Sequence, residues 1–335
     1  MTVAGERLSP FYRRELGRFV DALRAGRSFF LTGHESPDGD TVGSEVALAS
    51  YLRARGKTVL VGNASAVPGY CRFLKGVDRI QSAPRFEGRF DVAVVFECSG
   101  AERTGNVLDF KAQAKTVVNV DHHIHHALYG DINVVDVEAS SNSEQLLRVF
   151  DALKHRLTAG EATALYLGLV TDTGRFQQEN TRVGSHRAAA RLLEAGVDVA
   201  DVHRHVYATR RLAAMQLTGR ALTGARSALG GRVTVLSLSR KDFAATGADG
   251  SETEDIPNQG LLPPTSLVSV FLRETSERGK IKISFRGKSR VDLCRLAVSL
   301  GGGGHKNASG AVVPGTLASV EKKVLGLLAR AFRKT

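Results

Sequence analysis

Val117-Val118-Asn119-Val120-Asp121-His122-His123 is the stretch on which the fold turns. Residues 116–120 are mostly apolar and β-branched, which suits a short buried strand. At its end stand a carboxylate and two imidazoles, a donor set suited to a hard or borderline divalent cation. Alone, the tripeptide reads more readily as a helix-capping Asp with two surface histidines. Its neighbours decide between the two.

Upstream, Ser9-Pro10 and the helical spacing of Leu16, Val20 and Leu23 predict a helix that Gly26 stops. Residues 28–32 (Ser-Phe-Phe-Leu-Thr) predict a strand running into Gly33-His34-Glu35-Ser36-Pro37-Asp38-Gly39-Asp40. A helix over 44–55 and a strand over 58–61 complete a βαβ unit, and with it a parallel sheet. Residues 91–96 predict a buried strand ending at Glu97-Cys98-Ser99, with Arg103 close behind. A short strand over 132–135 follows, and Ser140-Ser141-Asn142-Ser143-Glu144 marks a helix start. Helices are expected over 144–157, 162–173 and 182–195, the second ending in Thr171-Asp172-Thr173-Gly174.

In an open parallel sheet all strand C-termini lie on one edge, where ligands bind. His34, Asp38, Asp40, Glu97, Asp121, His122 and His123 can therefore converge, with Asp172 joining from its helix end. Singly, Asp38-Gly39-Asp40 is a turn, Glu97 a strand-end charge and Asp172 a solvated helix end. Jointly they point to a metal centre. Oxygen and nitrogen donors without cysteine favour Mn2+ or Mg2+ over structural zinc.

Residues 199–224 are helical and Arg-rich, and are expected to connect two domains. Beyond them come a strand over 233–238, a polar loop over 247–255, strands over 266–272 and 280–285, and a helix over 291–300. Gly301-Gly302-Gly303-Gly304-His305 follows, then a strand near 310–313 and a helix over 317–332. The glycines let N–H groups approach a phosphate, and His305 adds a donor. No Gly-Lys-Ser/Thr follows, so this is no P-loop; the competing reading is a flexible linker. Arg286 stands at a strand end, where its guanidinium either grips a phosphate in bidentate fashion or is simply exposed.

The 335 residues, 42% apolar and 24% charged, are enough for about two domains of ordinary globular composition. No apolar run reaches the length of a membrane span, and the polar start does not read as a secretory signal. Cys71, Cys98 and Cys294 lack metal-type spacing, and a cytoplasmic location is expected. The formal net charge of +12 suits polyanionic partners, but without Trp a base-stacking single-strand platform is not indicated.

These residues also carry a resemblance. His34-x-x-x-Asp38-x-Asp40, the acid at 97 with Ser99 and Arg103, Asp121-His122-His123 and Thr171-Asp172-Thr173-Gly174 resemble the successive motifs of the DHH phosphoesterase superfamily. Gly301 to His305, with Asn307-Ala308-Ser309-Gly310, is similar to its DHHA1 signature. The likeness runs over about 29–313 and is strongest to the bifunctional oligoribonuclease and 3′,5′-bisphosphate nucleotidase (nanoRNase) group.

The resemblance implies an α/β fold: an N-terminal parallel-sheet DHH domain (9–198), a helical connector (199–224) and a smaller α/β DHHA1 domain (225–335), with the active site in the cleft between. It implies a two-metal hydrolysis of short oligoribonucleotides to mononucleotides and of 3′-phosphoadenosine 5′-phosphate to AMP. His34, Asp38 and the acid at 97 resemble ligands of one Mn2+ (or Mg2+). Asp40, the acid at 97, His122 and Asp172 resemble those of a second. His123, supported by Asp121, and Arg103 lie by the reacting phosphate. Arg286, Gly302, Gly303, Gly304 and His305 hold the rest of the substrate. The partners implied are short RNA oligonucleotides and phosphorylated nucleotides, with no membrane and a homodimer as the assembly to test.

The chain departs from the pattern in three places. Glu97 stands where the family has Asp, His126 where relatives carry Asn, and Ser141-Asn142-Ser143-Glu144 where Ser-Thr-Ser-Glu is usual. The competing readings are a phosphodiesterase for linear or cyclic dinucleotides and a nucleotide-binding module with weakened catalysis.

Overall fold

The computed structural model describes residues 8–123, 127–288 and 291–333. The chain divides into two compact units, 1–209 and 210–335. The stretch expected as a single connector is two helices, one in each unit: 199–207 and 212–223.

In the first unit β1 (Ser28–Thr32), β2 (Thr58–Asn63), β3 (Ile80–Ser82), β4 (Phe90–Phe96), β5 (Ala114–Asp121) and β6 (Ile132–Val135) form one sheet, ordered β3-β2-β1-β4-β5-β6. Every pairing in it is parallel. Side chains alternate across the pleat. Phe29, Leu31, Val92, Val94, Phe96, Val118 and Val120 enter the large core, while Phe30 and Ala93 enter a smaller one that also holds Phe86, Phe90 and Val107. Burial on both faces explains why these strands read as unbroken apolar runs.

The helices start where side chains take up orphan N–H groups. Ser9 caps α1 (Pro10–Ala25) by accepting from the Tyr12 N–H. The second helix begins before its expected start at 44. The Asp38 carboxylate accepts from the Asp40 and Thr41 N–H groups, so α2 runs Gly39–Arg53 and takes Asp40 into its first turn. Beyond the short α3 (Phe110–Gln113), Ser141 caps α4 (Asn142–Ala152), and a Thr158–Glu161 capping box opens α5 (Ala159–Asp172). The helices α6 (Val183–Glu194) and α7 (Val199–Tyr207) complete the unit.

The second unit begins with α8 (Leu212–Thr223). Its sheet contains β7 (Arg226–Ala228), β8 (Val233–Leu238), β9 (Val268–Glu274), β10 (Lys280–Gly287), β11 (Gly303–His305) and β12 (Ala308–Pro314), ordered β11-β12-β10-β9-β8-β7. Only β8 and β9 run parallel. Between these strands lie α9 (Arg240–Thr246), α10 (Ile256–Gln259) and α11 (Leu293–Val298), and α12 (Leu317–Phe332) closes the unit. Val320, Val324 and Leu328 of α12 pack with Val270, Ile283 and Phe285, while Leu217 and Ala221 of α8 pack with Leu236 and Phe271. No helix among the described residues is long and apolar enough to cross a membrane.

Candidate metal centre

Because β1, β4 and β5 are parallel neighbours, the residues that follow them emerge on one edge. Glu97 leaves β4 with φ at 60°, in the left-handed region that costs a residue with a Cβ about 1–2 kcal/mol. Its N–H still reaches Val120 O at 3.2 Å, and the residue is only 2% exposed. Strain of this kind concentrates at functional sites.

One nitrogen, Nε2 of His122, lies 3.2 Å from Glu97 Oε1, 3.3 Å from Glu97 Oε2 and 3.3 Å from Asp172 Oδ2. Ligand atoms of Asp40, His122 and Asp172 all fall within 4.8 Å of one another, as do those of Glu97, His122 and His123. A single imidazole N–H cannot satisfy three carboxylate oxygens. Asp172 ends α5, where the helix dipole disfavours a negative charge. Asp40 sits the other way round, fully buried at the start of α4. Its Oδ2 accepts from Asn142 N–H at 2.6 Å, and its Oδ1 from Ser143 N–H at 2.9 Å and Ser143 Oγ at 2.6 Å.

Asp121 belongs to neither of these two groups. Its Oδ1 accepts from the backbone of His122 at 2.9 Å and lies 2.7 Å from His123 Nδ1, fixing that ring. His34 and Asp38 face each other at 3.8 Å, outside both groups of clustered ligand atoms. Arg103 is exposed; its Nη1 lies 3.5 Å from Ser99 Oγ and its carbonyl accepts from Glu35 N–H. His126 lies outside the described residues.

The electrostatics are those of crowded carboxylates. Burial, then the Asp40 charge, then Asp172 and Asp38, push Glu97 well above the usual carboxylate range. Burial and Asp40 push Asp172 up to about 7, against a pull from His122. Burial also acts upward on Asp38, but the His34 ring and the Thr41 and Asp40 N–H groups outweigh it and hold Asp38 low. Glu97 Oε1, Asp121 Oδ2 and Asp172 Oδ2 are buried without a hydrogen-bond partner. Such groups are costly unless something satisfies them. The orphaned oxygens of Glu97 and Asp172 around one imidazole, with no sulfur donor, fit a hard divalent cation.

In the second unit the strand register groups the expected substrate residues. Arg286 pairs with Ala308, and Ala308 with His305, so Arg286 and His305 share one face, two inter-strand spacings or about 10 Å apart. Arg286 Nε donates to Asn258 Oδ1 at 3.1 Å. The glycine run is not a slack loop, since Gly303–His305 is an exposed edge strand. A Cβ on Gly302 would lie 2.1 Å from Gly310 O, and one on Gly304 2.6 Å from Ser309 Cα, so close strand pairing itself demands these glycines.

Sequence reasoning did not single out Asn142, Ser143 or Gln145 as partners of the centre, although the Ser-rich helix start was visible. It also passed over Glu45 and Asn63. Asn63 Nδ2 donates to buried Glu45 at 3.0 Å while its Oδ1 accepts from Gly33 N–H at 3.1 Å, tying down the loop that carries His34.

Residues 28–169 match the model of the DHH family, N-terminal domain, and residues 245–334 that of the DHHA1 domain. A Thermus thermophilus protein named bifunctional oligoribonuclease and PAP phosphatase NrnA is 29% identical over 316 residues, covering 93% of this chain and 92% of its own. A Bacillus subtilis protein of the same name is 27% identical over 289 residues, covering 85% and 89%. Among solved structures, an exopolyphosphatase-related protein from Bacteroides fragilis superposes with a TM-score of 0.83 at 25% identity, covering 98% of each chain. Exonuclease RecJ bound to manganese superposes at 0.53 with 14% identity, covering 100% of this chain and 98% of its own, a likeness of fold alone.

Proposed function

Because this chain belongs to the DHH family and carries a DHHA1 domain behind it, we propose that it hydrolyses phosphoesters in short oligoribonucleotides, releasing mononucleotides, and removes the 3′-phosphate of 3′-phosphoadenosine 5′-phosphate. The names of the Thermus thermophilus and Bacillus subtilis relatives, similar over most of this chain, support that choice of substrates. We assign catalysis to 9–198 and substrate binding to 225–335, and place the protein in the cytoplasm, where its free cysteines stay reduced.

The observation that carries the reading is the single nitrogen of His122 faced by Glu97 and Asp172 oxygens, with Asp40 in the same group. Asp40, Glu97, His122 and Asp172 would hold one divalent cation, and His34, Asp38 and Glu97 a second, with Mn2+ preferred and Mg2+ able to replace it. Bound there, such cations supply Lewis acidity to a phosphoryl group and lower the pKa of water.

The chain's own residues do the rest. Asp121 accepts from His123 Nδ1 at 2.7 Å, which fixes the ring beside the reacting phosphoryl group. Arg103, on its exposed turn, adds a cationic donor as negative charge builds. Arg286 and His305, on one face, grip the phosphate that is not cut.

The test is a product time course on RNAs of two to five nucleotides, on a long single strand and on 3′-phosphoadenosine 5′-phosphate, with Mn2+, Mg2+ or chelator. Mononucleotides from the short RNAs, AMP from the nucleotide and silence in chelator are expected. Full activity in chelator refutes the metal reading, and equal efficiency on the long strand refutes the short-substrate reading. A second reading, a nucleotide-binding module with weakened catalysis, is favoured by Glu97 standing where the resemblance implies Asp. Binding without turnover in the same series would select it.

A further inference from the structure

Ser141 already caps α4, its Oγ accepting from Glu144 N–H at 3.2 Å. Two residues on, the Ser143 hydroxyl has no such duty. It lies 2.6 Å from Asp40 Oδ1, on a helix that begins 102 residues after Asp40. The same helix start holds the end of β5. Asn142 Nδ2 donates to Val120 O at 2.8 Å, and Gln145 Nε2 to Asp121 O at 2.9 Å. The third element is α5, which ends in Asp172. A Cβ on Gly168 of α5 would lie 2.2 Å from Ser143 Oγ, 2.4 Å from Asp40 Oδ1 and 2.9 Å from Asp40 Cα. One on Gly43 of α2 would lie 2.2 Å from Ala164 O, and one on Gly39 2.4 Å from Thr171 Oγ1. The helices bearing Asp40 and Asp172 thus meet backbone to backbone, and Ser143 fills the notch between them.

We propose that Ser143 is a positioning residue for the metal centre. Its Oγ–H locks the Asp40 carboxylate in one orientation, and Gly168 supplies the clearance that this lock requires. The proposal rests on the reading of Asp40 as a metal ligand. A carboxylate that must meet a cation to within about half an ångström is held by its outer hydrogen bonds, and losing such a partner costs about 10–100-fold in metal affinity or activity. Three hydrogen bonds on one carboxylate, two from N–H groups and one from a hydroxyl, leave Asp40 no rotamer to search. Without the hydroxyl the two N–H groups remain, so orientation loosens while the fold persists.

The experiment is Mn2+ binding by calorimetry on wild type, Ser143→Ala, Gly168→Ala and Ser141→Ala, with Mn2+ activation curves and melting in chelator. Ser143→Ala should weaken Mn2+ binding about 10–100-fold and shift the activation midpoint equally, with KM at saturating Mn2+ little changed. Gly168→Ala, which keeps the hydroxyl but crowds it, should do the same. Ser141→Ala should lower the melting temperature and leave the Mn2+ affinity alone. Wild-type Mn2+ affinity in Ser143→Ala overturns the proposal, as does a loss of melting temperature and kcat with no change in metal affinity. Should Ser143→Ala fail to fold, Ser143→Cys, close in size but a poor donor, takes its place. If wild type itself binds no Mn2+, the fault lies with the metal reading, and the calorimetry shows that before any variant is compared.

Discussion

Replacing Glu97 with glutamine separates the proton from the metal. In the metal-free protein, burial and the Asp40 charge push Glu97 well above the ordinary carboxylate range, which favours its protonated form. Glutamine imitates that protonated acid in size and loss of charge. The metal-free variant should therefore melt within a couple of degrees of wild type. Metal changes the comparison, because a cation must take the proton's place and glutamine has no proton to give up. At a Mn2+ concentration about 100 times Kd, binding stabilises wild type by about 2.7 kcal/mol. For a unit of 209 residues, each kcal/mol moves the midpoint by about 2–4 °C, so Mn2+ should raise it by about 5–10 °C. Glu97→Gln should show little of that rise and no turnover. Paired thermal melts with Mn2+ or EDTA, with kinetics on a dinucleotide, decide it. A full Mn2+ rise with wild-type turnover in the variant would remove Glu97 from the ligand set and refute the placement of this motif.

Four further outcomes are expected. Glu97→Asp should raise kcat or Mn2+ affinity, because aspartate tolerates the left-handed backbone better and shortens the reach to the length the resemblance implies; a neutral or harmful result would mean that the surroundings have adapted to Glu. His122→Ala and Asp40→Ala should each cut turnover by more than about a hundredfold while circular dichroism stays native, since removing a ligand costs more than removing its outer partner. Arg286→Ala should raise KM by about 10–100-fold, the worth of a charge-assisted hydrogen bond, with kcat and Mn2+ activation unmoved. In EDTA, wild type should lose stability as pH rises from 4 towards 8. Asp172 goes from 3.8 to about 7 on folding, so the native state binds the proton more tightly, and up to about 4 kcal/mol present below pH 4 is lost by pH 7. Midpoints that are flat over this range would contradict it.

Much of this fold is legible in the chain. Strands 28–32, 132–135 and 233–238 and helix 317–332 are found where the apolar pattern and the turn residues put them. Errors gather where one side chain or a distant partner decides. The start of α2 hinges on which carboxylate takes the Asp40 N–H, and Asp38 takes it ahead of the later Ser44. Gly303–His305 has no strand propensity of its own and becomes a strand because β12 pairs with it. Short β3 and β7, of three residues each, carry too little alternation to read. Of the residues named in advance, Asp40, Glu97, His122, His123 and Asp172 come together. His34 and Asp38 stand outside the tightest groups, and Arg103 is exposed. The left-handed backbone of Glu97 and the bond from Ser143 to Asp40 depend on chain crossings that no local window contains.

The contact of α2 with α5 also governs how the first unit opens. Helices separated by long side chains can slide, as the chains change rotamer one at a time. Here Gly43 and Gly168 bring backbone against backbone and leave no layer to rearrange. These helices have no small sideways motion available; they stay together or part altogether. Their central amides, around 42–49 in α2 and 162–170 in α5, should exchange with deuterium only through global unfolding and be among the slowest in the unit. The exposed edge β11 should exchange within the shortest times measured. The spacing between Asp40 and Asp172 is then as durable as the fold itself.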